Sequence, residues 1–222
     1  MEDRVKYALK KFFNHEKFPY YADSSTYELL EKDDEGKSRL IVEVGTAENI
    51  CVKNYDKEKK FPKWGILNNS RKLHLSKCVD HFIFKKNSMG TWELHIFEMK
   101  TSVGFKAWNE IKYKLRPSYL SIRAIAIYLG IPIKDENITV YITYERDCFG
   151  ISNMNDPKIV IPPVGGRAFD IKKDEWDAGV INFPMIISEN NPYKFISTIK
   201  LRHKKILMHR AEDGFLENTI SI

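Results

Sequence analysis

The sequence predicts a single mixed α/β domain, a β-sheet flanked by helices with further elements at both ends. Two strand-like runs, 79–86 and 92–100, are separated by the turn Asn87-Ser88-Met89-Gly90-Thr91. A long helical stretch, Phe105 to Leu129, then leads into the strong β run 138–144. The 222 residues suffice for one well-buried core and are few for two ordinary domains.

Taken in order, Val5, Leu9, Phe12 and Phe13 recur at helical spacing, so a helix is expected over 4–18, ended by Pro19. Strands are expected at 27–31 and 38–44 around Asp33-Asp34-Glu35-Gly36, with a short one at 49–54. The Lys-rich stretch 55–77 reads as a long connection. The 105–129 helix should be interrupted or kinked near Pro117 and stopped by Gly130 and Pro132. Segment 151–190 looks irregular, with short strands at Ile159–Ile161 and Pro184–Ile187. Its Pro162-Pro163-Val164-Gly165-Gly166-Arg167 lacks the lysine of a phosphate-binding loop and reads as an ordinary loop. From Tyr193 to Arg210, Phe195, Ile199, Ile206 and Leu207 suggest a basic C-terminal helix. The core is placed at about 38–145, with 151–222 as an extension packed on it.

No apolar run is long enough to cross a membrane, and the charged N-terminus lacks a signal-peptide core. The cytoplasm is therefore the expected compartment. Cys51, Cys78 and Cys148 are far apart and imply neither a disulfide framework nor a metal knuckle. The net charge of +6 favours polyanionic partners, because cationic side chains release counterions from phosphates.

The chemistry-bearing constellation is Val79-Asp80-His81-Phe82-Ile83-Phe84 followed by Glu93-Leu94-His95-Ile96-Phe97-Glu98-Met99-Lys100. A hairpin symmetric about Met89 pairs Phe82 with Ile96, Phe84 with Leu94 and Lys85 with Glu93. Each such match stabilises a ladder by roughly 0.2–1 kcal/mol. The same register sets Asp80 opposite Glu98. Alternation puts Lys100 on the face of Glu98 and turns Met99, His81 and His95 away. Two neighbouring acids repel unless a cation lies between them, and Mg²⁺ or Mn²⁺ suits oxygen donors.

Asp80 and Glu98-Met99-Lys100 resemble the core motif of the PD-(D/E)XK nuclease superfamily, with its restriction-endonuclease-like fold. In that family an acid begins one strand, an acid-x-Lys ends the next, and a helix and a further strand follow. Here Phe105–Leu129 and Ile138–Tyr144 take those places. Val79 stands where the name-giving proline would be. Other acid-x-Lys copies, at Glu35, Glu58, Glu110, Asp156 and Asp170, lack this setting.

The resemblance implies a restriction-endonuclease-like mixed sheet and a metal-dependent nuclease, acting on DNA in preference to RNA. Asp80 and Glu98 would hold Mg²⁺ or Mn²⁺, and Lys100 would assist the attacking water. A third acid is common in the family. Glu43, in Ile41-Val42-Glu43-Val44, is the candidate because an acid among apolar strand residues costs energy unless used, and Glu48 is its rival. Lys106, Lys112, Lys114, Arg116 and Arg123 on the following helix are candidates for phosphate contact, and Lys106, Lys112 and Arg116 are preferred. A homodimer would supply one site per strand. Work within a larger defence, repair or mobile-element assembly is also expected. The competing expectation is a non-catalytic regulatory protein that keeps the fold and grips nucleic acid or a protein.

Overall fold

The computed structural model describes residues 1–13, 15–16, 18–33, 36–56, 77–149, 173–188 and 191–222. Of the expected features, Ile159–Ile161, the Pro162–Arg167 loop and most of the 55–77 connection lie outside them. The elements are α1 (Asp3–Phe12), β1 (Tyr21–Ala22), β2 (Thr26–Asp33), β3 (Gly36–Glu43), β4 (Asn49–Val52), β5 (His81–Lys86), β6 (Trp92–Met99), β7 (Ser102–Val103), α2 (Phe105–Leu129), β8 (Ile138–Tyr144), β9 (Arg146–Asp147), β10 (Val180–Ser188), β11 (Asn191–Leu207), β12 (His209–Arg210) and β13 (Leu216–Ser221).

A seven-stranded mixed sheet in the order β1-β4-β5-β6-β8-β11-β10 forms the centre. Strand β8 runs parallel to both β6 and β11. One face carries α1 and α2, and the other meets a four-stranded sheet in the order β12-β13-β3-β2. The small pair β7-β9 follows the end of β6. Because both faces are covered, the central strands read as nearly continuous apolar runs. Phe82, Phe84, Leu94, Ile96, Val140 and Ile142 pack toward the helices. Ile83, Phe97, Met99 and Tyr141 pack toward the second sheet, where the Phe97 and Tyr141 rings stack at 4.9 Å.

The β5–β6 hairpin has the register predicted from the alternation: Phe82 pairs with Ile96, Phe84 with Leu94 and Lys85 with Glu93. Helix α2 is unbroken. Pro117 lies inside it, and Ser121 Oγ donates to the Pro117 carbonyl at 2.8 Å. The expected stop is present: Gly130 adopts a left-handed conformation, φ 68°, and its N–H bonds the Ala126 and Ile127 carbonyls. Helix α1 ends earlier than predicted, because Phe13 turns extended and packs its ring 4.9 Å from that of Phe18.

The largest correction concerns the C-terminal third. The segment expected to be a basic helix is most of strand β11 and all of β12. Ile199, Leu201 and His203 face inward while Lys200, Arg202 and Lys204 face water, a period of two. Its last six residues pair with β8, and its first part pairs with β10, which extends beyond the short strand expected there. Trp176, on a helical turn at 173–177, stacks on His203 and meets Trp108 of α2 edge-on at 5.5 Å. The C-terminal residues thus share one core with the rest. No helix among the described residues is long and apolar enough to cross a membrane.

His81 and His95 lie on the face away from Glu98, as the alternation requires. His95 is buried, its Nδ1 is 3.2 Å from the Tyr141 hydroxyl, and burial pushes its imidazole down to about 4 against the opposing pull of Glu93. In the unfolded chain the ring takes up a proton near its ordinary 6.5. Stability should therefore fall as pH drops from 6.5 to about 4, by on the order of 3 kcal/mol. Urea midpoints across that range test this, and His95→Gln should flatten the profile there. A variant that keeps the full acid sensitivity would exclude His95 as the cause.

Candidate active site

Strand β6 ends at Met99, and alternation turns Met99 into the second-sheet core and Glu98 toward the helices. Asp80 lies one residue before β5, where the ladder has ended. Its Oδ2 accepts the Met99 N–H at 2.6 Å, so the aspartate closes the open end of the hairpin. Lys100 follows β6, its N–H donating to Thr143 Oγ1 of β8 at 3.2 Å. That bond fixes the strand end, and the Lys100 ammonium lies 3.3 Å from Glu98 Oε1. The three residues predicted to meet at this end of the hairpin are therefore gathered there.

A fourth residue joins them. Lys114 of α2 places its Nζ 3.0 Å from Asp80 Oδ1 and 2.7 Å from Glu98 Oε1. The sequence reading grouped this lysine with the phosphate-contacting charges. Ile111, Leu115, Ser118 and Ile122 form the buried stripe of α2, and position 114 flanks it at helical spacing, which was the available signal. Ser118 locks this turn to the sheet: its Oγ donates to the Lys114 carbonyl at 2.8 Å and accepts the Val79 N–H at 2.9 Å.

Glu98 is fully buried and Asp80 is 2% exposed. Burial, then the Asp80 charge, pushes the Glu98 carboxyl up to about 8, with Lys114 and Lys100 opposing. Burial works against the Lys114 charge, but Glu98 and Asp80 outweigh it and hold the ammonium above its ordinary range. Glu98 Oε1 makes the short ion contact without hydrogen-bond geometry. Glu98 Oε2 has no hydrogen-bond partner among the described residues.

On the other side of Asp80, carboxylate oxygens of Glu31, Asp56 and Asp80 lie within 4.8 Å of one another. Tyr27 and Leu29 are buried between the sheets, and Glu31 continues their inward-facing row on β2. The sequence reading missed Glu31 and Asp56. Glu43, its candidate third acid, does not join the cluster. Val42 and Val44 on either side face inward, so Glu43 faces water and accepts a hydrogen bond from Ser221 at 2.7 Å. Along β3 it is five residues beyond Ser38, the partner of Glu31, which at about 3.4 Å per residue sets it roughly 17 Å away. The rival Glu48 lies by the N-terminus, accepting the Glu2 N–H at 2.8 Å.

The expected basic face on α2 is also corrected. Lys106 is exposed, but Lys112 is ion-paired with Glu175 and Arg116 is buried. Both extend toward protein rather than solvent.

The donor set fits a hard divalent cation. All candidate ligands are carboxylate oxygens, Glu98 Oε2 is buried and unpartnered among the described residues, and two adjacent buried acids need positive charge. Asp80 adjoins Glu98 through Lys114, and its carboxylate also lies within 4.8 Å of those of Glu31 and Asp56.

No family model, no curated protein and no solved structure matches the chain.

Proposed function

We propose that this protein is a metal-dependent nuclease with a restriction-endonuclease-like core, cleaving phosphodiester bonds in DNA before RNA. The observation that carries the reading is the convergence of Asp80, Glu98 and Lys100 at one end of the β5–β6 hairpin. The element order supports it: two antiparallel strands bearing the acids, a helix, and β8 returning parallel beside β6. The net positive charge suits a polyanionic substrate.

In this reading Asp80 and Glu98 hold Mg²⁺ or Mn²⁺. The bound ion would polarise a phosphodiester and make a water more acidic. Asp80 is oriented for this by the Met99 N–H, and Glu98 by its place in the ladder. The Lys100 side chain is 24% exposed, so its ammonium reaches the solvent boundary beside Glu98. There it would orient the attacking water and stabilise charge building on the phosphate oxygens.

Purified protein should therefore nick or degrade plasmid or linear DNA with Mg²⁺ or Mn²⁺, and EDTA should stop it. Lys100→Ala should slow cleavage roughly 10²–10³-fold while leaving the fold intact. The second reading, a non-catalytic protein that keeps the fold, is favoured by one observation: Lys114 already neutralises the acid pair. Wild-type protein that cuts neither DNA nor RNA with either ion would select it.

A further inference from the structure

We propose that Lys114 is a displaceable internal counter-ion, which holds Asp80 and Glu98 together in the ion-free protein and must leave for a divalent cation to bind. The inference rests on the reading of Asp80 and Glu98 as metal ligands and adds what sets the affinity of that site.

The argument starts from occupancy. Lys114 Nζ touches Asp80 Oδ1 and Glu98 Oε1, so its charge lies between the two acids that would have to share a cation. Mg²⁺ binds oxygen at about 2.0–2.1 Å. An ion shared by the two carboxylates would lie within a few ångströms of the ammonium, and two cations so close in a buried site repel strongly. The lysine and the ion therefore compete for the same two carboxylates.

The surroundings permit the exchange. The backbone at Lys114 is fixed, because Ser118 ties its carbonyl to the Val79 N–H. Its side chain is 17% exposed, against 3% for Asp80 and none for Glu98, so the ammonium has a route to solvent that the acids lack. A lysine has four rotatable methylenes and a compact, strongly hydrated charge, which suits it to swing out and be hydrated. Lys100 differs. Among the described residues it pairs with no acid but Glu98, at 3.3 Å, and can keep its place beside a bound ion.

Mn²⁺ affinity, read from the electron paramagnetic resonance signal of the free ion, tests this without any assay of cleavage. Lys114→Met keeps the length of the side chain and removes its charge. It should bind Mn²⁺ about tenfold or more tightly than wild type. Saturating Mn²⁺ should also raise its melting temperature more than that of wild type, because its ion-free state lacks the counter-charge. Lys114→Arg keeps the charge in a fork that grips carboxylates bidentately, and should bind Mn²⁺ more weakly than wild type. It gives a readout should the methionine variant not fold. Equal or weaker affinity in Lys114→Met, or unchanged affinity in Lys114→Arg, overturns the inference. The metal reading survives that result if Asp80→Asn still abolishes binding. Mn²⁺ binding that Asp80→Asn and Glu98→Gln both leave unchanged, or no binding by wild type and Lys114→Met alike, overturns both.

Discussion

Asp80→Ala is expected to abolish metal-dependent cleavage and to destabilise the ion-free fold by about 3–5 kcal/mol. The loss is large because one side chain serves two buried partners. Its Oδ2 takes the Met99 N–H at 2.6 Å, closing the hairpin. Its Oδ1 takes Lys114 at 3.0 Å, and its oxygens lie beside those of Glu31 and Asp56. Alanine leaves a buried N–H unsatisfied and takes one of its two acid partners from a largely buried ammonium. Removing the repulsion from Glu98, Glu31 and Asp56 returns some of that. Asp80→Asn separates the roles. Its side-chain carbonyl can still accept from Met99, so it should lose cleavage as fully while costing clearly less stability. Urea denaturation in EDTA measures both. An Asp80→Ala midpoint within about 1 kcal/mol of wild type would show that the aspartate does not close the hairpin.

Glu98→Gln should show the opposite balance: cleavage at background and a stability at pH 7 no lower than that of wild type. Glutamine matches the protonated carboxyl in shape, and burial beside Asp80 pushes the Glu98 carboxyl up to about 8, from an ordinary 4.5. Between those values the folded protein keeps a proton that the unfolded chain has released, so wild-type stability falls as pH rises across that window. His95 acts in the opposite sense below 6.5, so the Glu98 slope is read between pH 6.5 and 8. In metal-free buffer the glutamine variant should lose that slope, so its stability relative to wild type should rise from pH 6.5 to 8. If wild type instead gains stability from pH 6.5 to 8, Glu98 is ionised throughout, paired with Lys114.

Alternation is the reason the hairpin was legible in the sequence. Apolar residues on both faces left one register that matched Phe82 to Ile96 and Lys85 to Glu93, and that register carried Asp80, Glu98 and Lys100 with it. The same rule distinguishes the facing of Glu43 and Glu31. Glu43 lies between two inward-facing valines and must face out, whereas Glu31 shares the parity of Tyr27 and Leu29 and must face in. The cost of an acid in an apolar row applies to Glu31, which adjoins Asp80, and not to the outward-facing Glu43. Asp56, on a turn after β4, had no periodicity to betray it. The C-terminal misreading has a related cause. Phe195, Ile199, Ile206 and Leu207 fit a helix only while Leu201 and His203 are skipped, and the strict succession Ile199 to Lys204 belongs to a strand. Lys114 required knowing which face of α2 meets the sheet, a tertiary fact that helical spacing brackets without fixing.

Strand β11 limits how this protein can be dissected. From Arg202 to Leu207 it lies along β8 from Thr139 to Tyr144, on the side opposite β6. A fragment trimmed to residues 38–145 would keep the hairpin and α2 but leave β8 as a bare edge, its row of amides and carbonyls open to any passing strand. It would also strip Trp176, Phe183 and Leu201 from the core around α2. Such a minimal module should aggregate rather than cut, and the chemistry would not transplant without the strands that flank it.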